Sequence, residues 1–399
     1  FQRPGQGDDD SMNDKFMNTY KRTGLILEKG KGATLWDKNG KEYIDFTAGI
    51  GVNSLGHGNP ALVKAIADQA ANLIHCSNYF LTDISITLTE ELCQAAGFDR
   101  AFFCNSGAEA NEGLVKIARK YGSDKHPDKN KVLTLIGSFH GRTIAMVTAT
   151  GQEKFHKFFG PFTPGFGYVP VGDIAALDKA LDDRTCAFLF EPIQGEGGVL
   201  PLDAAYLRQA QKLCKERDIL FAADEVQTGV GRTGALLACM KMGLEPDLVS
   251  LAKGLAGGVP IGAVLAKGAC ADTLQPGDHG TTFGGNPLAA AAAHVALGQI
   301  CKPEFLAQVE RKGEKIRKAI QSWKNPLVRQ VRGMGLMIGA AVSIPPGDVV
   351  SACRERGLLV LTAGEDTVRL LPPLVIRDDE IDRGLAVLKS ALDTLAAHG

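Results

Sequence analysis

The chain of 399 residues has no C-x-x-C pair, and its nine cysteines fall at irregular spacings. An odd, scattered set excludes a disulfide framework and a structural zinc site, and it suits a reducing cytoplasm. No uncharged apolar run reaches membrane-spanning length. The stretch from Leu288 to Leu297 is too short, and its alanines suit a packed helix. Net charge is only −1, so no global field draws the protein to nucleic acid or to an acidic membrane. Internal repeats and low-complexity segments are missing as well. What is present, 45% hydrophobic and 22% charged residues in a length that allows two domains, is ordinary globular composition. Residues 1–11 (FQRPGQGDDDS), polar and rich in Gly and Asp ahead of Met12, read as a cloning remnant or a disordered tail outside the fold.

The middle of the chain repeats one pattern, a short apolar run followed by small or polar residues and often by a helical stretch. The runs are Ala101–Cys104, Val132–Ile136, Cys186–Phe190, Ile219–Ala223, Leu248–Ala252 and Ile261–Ala266, each about the length of a strand. Helical patterns cover Ala108–Tyr121, Ile174–Leu181 and Ala205–Arg217. Such alternation predicts an α/β fold with a mainly parallel sheet covered on both faces. Open parallel sheets bind ligands at the carboxyl ends of their strands. Five polar clusters fall at those ends: Asn105-Ser106-Gly107, Ser138 to Arg142, Glu191 to Glu196, Asp224-Glu225 and Lys253-Gly254. The expected division is a terminal segment 12–58 and a segment 301–399 forming a small unit around a large domain, 59–300.

Lys253 ends one apolar run and Asp224 another. An amine and a carboxylate placed so suit pyridoxal phosphate, which needs a Schiff-base partner and an acid at its pyridinium nitrogen. Alone, Lys253 reads more readily as a solvated strand end, and Asp224 can be a loop cap. Ser106 has the position of an N-cap with Glu109 three residues on, so Gly107 and Ala108 open a helix whose amides suit a phosphate. Phe139 offers a face to a flat ring or to the core, and His140 a base or a ring neighbour. Arg142 suits a carboxylate clamp or an outward salt bridge. Glu191 and Glu196 could tune a cationic site, bind an amine or neutralise an arginine, and their spacing does not choose. The loop Gly280 to Pro287, with Thr281 and Thr282, has the hydroxyls and free amides of a phosphate contact, and Arg369 is a lone cation in an apolar run that calls for a carboxylate.

Taken together, the motifs from Asn105 to Glu112, Phe139-His140-Gly141-Arg142-Thr143, Glu191 to Gly198, Asp224 to Gly229 and Ala252-Lys253-Gly254 resemble those of the class III pyridoxal-phosphate aminotransferases, from about Tyr20 to the end. The resemblance implies fold type I, with a large sheet domain and a small domain built from both termini. It implies Lys253 as the internal aldimine lysine and proton carrier, and Asp224 as the pyridinium partner. Gln227 would approach the phenolic oxygen beside Val226, and Phe139 would stack on the ring with His140 nearby. Ser106, Gly107 and Ala108 would hold the phosphate. Thr282, next to Thr281, would reach it from the other subunit of a homodimer. On the substrate side it implies Tyr20, Ile50, Arg142, Glu191, Glu196 and Arg369, with Glu196 pairing with Arg369 in one half-reaction and releasing it in the next. Within the family the chain looks most like members that act on N2-acetylornithine and 2-oxoglutarate in cytoplasmic arginine biosynthesis. Relatives acting on free ornithine typically have a tyrosine where Ile50 stands. Aminotransferases of 4-aminobutyrate, ornithine or N-succinyl-diaminopimelate, and an aminomutase of the same fold, are the alternatives.

Overall fold

Alternating side chains along five neighbouring strands divide between two apolar clusters, and that division defines the architecture. In the computed structural model, which describes residues 15–398, Leu133, Phe188, Phe221, Val249 and Leu265 join one cluster. Their neighbours Val132, Ala187 and Leu189, Leu220 and Ala222, Leu248, and Val264 join the other. A period of two with both faces buried is a sheet covered on both sides. Its seven strands lie in the order Arg100–Cys104, Gly262–Ala266, Leu248–Leu251, Leu220–Asp224, Thr185–Phe190, Lys131–Leu135, Phe166–Val169. All run in parallel except Gly262–Ala266, which is antiparallel to both neighbours. All six apolar runs named above are strands of this sheet. Phe166–Val169, an edge strand that contains Gly167 and buries only Val169, carried no comparable apolar signal.

The helix Gly107–Ser123 covers one face with Ala110, Leu114, Ile117 and Ala118. On the other face, Ala204–Glu216 buries Leu207, Ala210 and Cys214. The helix Pro287–Ile300 is capped by Asn286, whose Oδ1 accepts from Ala289 N at 3.0 Å. Its Ala290, Ala292, Ala293 and Ala296 are fully buried, and side chains this small let it pack closely against Pro60–Asn72, Asp83–Ala96 and the short turn beginning at Lys253.

Two smaller sheets flank this body. Val328–Met334, Met337–Val342, Thr367–Leu370 and Leu361–Ala363 form one, entirely antiparallel. Leu27–Lys31, Thr34–Asp37 and Glu42–Asp45 form the other, and Leu358–Leu359 adds to it in parallel, so the two ends of the chain share a sheet. Residues 1–11 lie outside the described residues. Among those described, no helix is long and apolar enough to cross a membrane, and all nine cysteines are free thiols.

Candidate active site

The carboxyl ends of the parallel strands open into a cavity of about 340 Å³. Ser106, Phe139, Glu191, Asp224 and Lys253, one from each of the five polar clusters, line it. Gly107, Ala108, His140, Val226 and Gln227 complete much of the remaining wall.

Asp224 ends its strand 4% exposed, yet three donors converge on it. Asn111 Nδ2 donates to Oδ2 at 2.7 Å, His140 Nδ1 lies 2.8 Å from the same oxygen, and Val226 N donates to Oδ1 at 3.0 Å. Because a carboxylate only accepts, His140 Nδ1 carries the proton in this contact. Asn111 is itself held, accepting from Ser250 Oγ at 2.6 Å and donating to His140 O at 2.8 Å. Sequence reasoning quoted Asn111 only as part of a motif and passed over Ser250. A signal was there: Asn111 stands four residues after Gly107, one turn along the same helix face, and is a polar side chain amid Ala110, Leu114 and Val115.

At the start of that helix, Ser106 Oγ accepts from Glu109 N at 3.2 Å. The reciprocal bond expected of a capping box is displaced by one residue. Glu109 Oε2 accepts from Asn105 N at 2.6 Å and from Asn105 Nδ2 at 2.8 Å, not from the Ser106 amide. Gly107 faces Val226 so closely that a methyl group in its place would lie 2.7 Å from Val226 Cγ1. Gly107 is therefore closed to a side chain unless Val226 moves.

Lys253 is half-buried and has φ +41°, a strained backbone for a residue with a Cβ. Burial pushes its ammonium below the ordinary lysine range, only partly opposed by Asp224 and Glu196. Glu191, 5% exposed, accepts from Phe139 N at 2.9 Å and Gly195 N at 3.3 Å. Burial and then the nearby Asp224 drive its carboxyl well above the usual range against the pull of those two amides.

Arg369 comes from the antiparallel sheet and is 3% exposed. Its Nη1 donates to Glu196 Oε1 at 2.5 Å and to Gln227 Oε1 at 3.1 Å. Burial alone would raise Glu196, but the charge and hydrogen bond of Arg369, with Lys253 and Gln227, together outweigh it and hold the carboxyl below the ordinary range. Arg142 is exposed and lies over the rings of Phe139 and Phe155, at 5.3 Å and 4.4 Å. Ile50, 42% exposed, sits at φ +67° two residues before Val52, which lines the cavity.

Of the expected residues, Ile50, Arg142, Glu196 and Arg369 lie beside the cavity without lining it, and Tyr20, Thr281 and Thr282 lie farther from it. Tyr20 is 72% exposed, with Arg22 over its ring at 5.7 Å. Thr281 Oγ1 accepts from Gly284 N at 3.1 Å and only brushes the rim through Asn105 Nδ2 at 3.4 Å. Thr282 is exposed and lines a separate recess with His75 and Phe80.

The family profile described as Aminotransferase class-III matches residues 16–392. The chain belongs to the class III aminotransferases. It is 47% identical over 383 residues to the acetylornithine aminotransferase of Caldanaerobacter subterraneus subsp. tengcongensis, covering 95% of this chain and 97% of that one. It is 45% identical over 390 residues to the succinylornithine transaminase/acetylornithine aminotransferase of Pseudomonas aeruginosa, with 96% of each covered. Among solved structures, the ornithine aminotransferase from Toxoplasma gondii, crystallised with oxidised glutathione and showing partial occupancy of PLP at its active site, superposes with a TM-score of 0.94. It is 36% identical and covers 98% of this chain and 95% of its own. The fold is therefore that of the type I pyridoxal-phosphate enzymes, the chain is a transaminase, and its cofactor is pyridoxal 5′-phosphate. The residues present fit that group. The helix start at Ser106, Gly107 and Ala108 opens onto the cavity, a buried carboxylate forms part of the wall, and a lysine lowered by burial stands within the same cavity.

Proposed function

We propose that this transaminase moves the terminal amino group of N2-acetylornithine to 2-oxoglutarate in two half-reactions that share one pocket. The observation that carries the proposal is the Arg369–Glu196 pair. A nearly buried guanidinium beside the cofactor cavity is masked by a partly exposed carboxylate that can turn away. A donor presenting an amine on a long chain meets a neutralised pair. An acceptor presenting an α-carboxylate displaces Glu196 and takes a charge-assisted contact with Arg369. Arg142, with no carboxylate partner among the described residues, is free for the far carboxylate of either substrate. Ile50 cannot hydrogen-bond a free α-amino group, which favours an acylated donor over ornithine.

Pyridoxal phosphate, when bound, supplies an aldehyde for the donor amine and a conjugated ring that takes up the electron pair released with a proton. The residues supply the rest. Ser106, Gly107 and Ala108 offer helix N-terminal amides to a phosphate. Asp224, fixed by Asn111, His140 and the Val226 amide, holds a positively charged N–H in place. Phe139 and Val226 limit the space on the cavity walls. Lys253 Nζ, lowered by burial, accepts and returns a proton at the substrate carbon.

The same reading takes the protein as a homodimer whose second copy brings Thr282 to the phosphate. It is supported by exposed Ile74, Tyr79, Phe80, Leu81 and Phe283, a run of apolar surface beside the recess that Thr282 lines. We also read 12–58 and 301–399 as one small domain around 59–300, and a cytoplasmic location from the nine free thiols.

The test is glutamate formation from 2-oxoglutarate and a panel of donors: N2-acetylornithine, ornithine, 4-aminobutyrate and N-succinyl-diaminopimelate. N2-acetylornithine should give the highest kcat/KM. A higher value for an unacylated donor overturns the assignment, and turnover without any 2-oxo acid turns it toward an aminomutase.

A further inference from the structure

Arg142 has an unusual setting for a surface arginine. Among the described residues its guanidinium makes no hydrogen bond or ion pair, and it lies over two aromatic rings, Phe155 at 4.4 Å and Phe139 at 5.3 Å. The two rings meet edge to face with centroids 5.5 Å apart. Phe139 belongs to the wall of the cofactor cavity, whereas Phe155 comes from a turn beyond it.

That turn is tied down on both sides of Phe155. Ahead of it, Gln152 Nε2 donates to Ser138 O at 3.0 Å and Gly151 N donates to Ser138 Oγ at 3.0 Å, so the turn is anchored to the residue just before Phe139. Behind it, His156 Nε2 lies 3.0 Å from Val147 O and 2.8 Å from Thr150 O. Phe155 N closes the turn on Gln152 O at 3.0 Å. The Phe155 ring is thus held by the same backbone that holds Phe139, and its position relative to the cavity is set before any substrate arrives.

An exposed arginine normally samples many rotamers, and a ligand that uses it must first order it. A guanidinium stacked on two anchored rings has already lost much of that freedom, while its N–H edge stays open to a planar carboxylate. We propose that Phe155 is a positioning residue for substrate carboxylates: with Phe139, its ring holds the Arg142 guanidinium at a defined place beside the cofactor cavity. This rests on the assignment of Arg142 as the carboxylate contact made above. It adds that selectivity for carboxylate-bearing donors and acceptors depends on a residue that touches neither substrate nor cofactor.

The experiment uses holoenzyme and glutarate, a dicarboxylate that cannot be transaminated, with binding measured by calorimetry. Phe155→Leu removes the aromatic face and Phe155→Tyr keeps it. Phe155→Leu should raise the glutarate Kd, and the KM of donor and acceptor together, roughly three- to tenfold with kcat held within about twofold. Phe155→Tyr should match the parent. Phe155→Ile, a second non-aromatic variant, should repeat the Leu result. In an Arg142→Ala background, Phe155→Leu should cause no further loss. Unchanged glutarate binding in Phe155→Leu, or an equal loss with and without Arg142, overturns the proposal. If Arg142→Ala alone leaves glutarate binding intact, the carboxylate role of Arg142 falls and this proposal with it. If Arg142→Ala weakens binding and Phe155→Leu does not, only this proposal falls.

Discussion

Glu196→Gln isolates the gate over Arg369, because it removes the charge and keeps the shape. Glu196 Oε1 lies 2.5 Å from Arg369 Nη1, and the glutamate side chain is 29% exposed against 3% for the arginine. Two unit charges about 4 Å apart attract by about 4 kcal/mol at an effective dielectric of ~20. Much of this returns when Glu196 swings into water, so displacing it costs an acceptor a net of about 1–2 kcal/mol. A glutamine has no charge to displace. Glutarate should therefore bind the variant roughly 5–30-fold more tightly. Glutamate should also compete with the amine donor in the first half-reaction by a similar roughly 5–30-fold factor, because Arg369 now welcomes its α-carboxylate at every stage. Single-turnover half-reactions, followed by cofactor absorbance, separate the two effects. The donor half should become sensitive to added glutamate, while the acceptor half should keep its limiting rate and reach it at lower 2-oxoglutarate. Weaker glutarate binding, or an equal slowing of both halves, would refute the gate.

Two further predictions concern how the site is held. Asn111→Ala removes a charge-assisted bond to Asp224 and leaves Ser250 Oγ without its acceptor, in a position that is fully buried. It should lower stability by about 2–4 kcal/mol in denaturant titration and speed cofactor loss on dialysis; retention as in the parent would show that Asp224 needs no such support. Asp45 is fully buried and supports the turn leading to Ile50 and Val52. Burial alone would raise its pKa, but His57 and Thr47 outweigh that and hold it below the ordinary carboxylate range. A depressed folded value means the unfolded chain binds more protons below about pH 4. Asp45 thus stabilises above its unfolded pKa, and that contribution fades as pH falls through the folded one. Asp45→Asn should therefore cost about 1.5–3 kcal/mol at pH 7 and visibly less as pH drops below about 4; a constant difference across that range would contradict the assignment.

The strands were readable because their pattern is local. A strand buried on both faces has to be apolar throughout, so Cys186–Phe190 and Leu248–Leu251 stand out in any window of the chain. Phe166–Val169 does not, since an edge strand buries less and tolerates glycine. The ends of the buried strands were readable for the same reason: a charged residue such as Asp224 or Lys253 directly after an apolar run marks where the sheet stops and a ligand can begin. The capping residue Ser106 was visible too, although Glu109 turned to the Asn105 amide and not to the one a capping box requires.

Contacts between distant segments belong to another level. Glu196 and Arg369 are 173 residues apart, Glu196 in a turn beyond the strand Thr185–Phe190 and Arg369 on the antiparallel sheet; their approach depends on how that sheet docks beside the parallel one. Ser250 and Asn111 are 139 apart and meet because the helix Gly107–Ser123 crosses the strand Leu248–Leu251 at one register. The stack of Phe155, Arg142 and Phe139 depends on a turn pinned to Ser138 by hydrogen bonds that no periodicity announces. Burial pattern and chain punctuation are properties of neighbouring residues, so sequence determines them directly. Which polar groups face one another is a property of packed surfaces, and only the packing of the whole chain decides it.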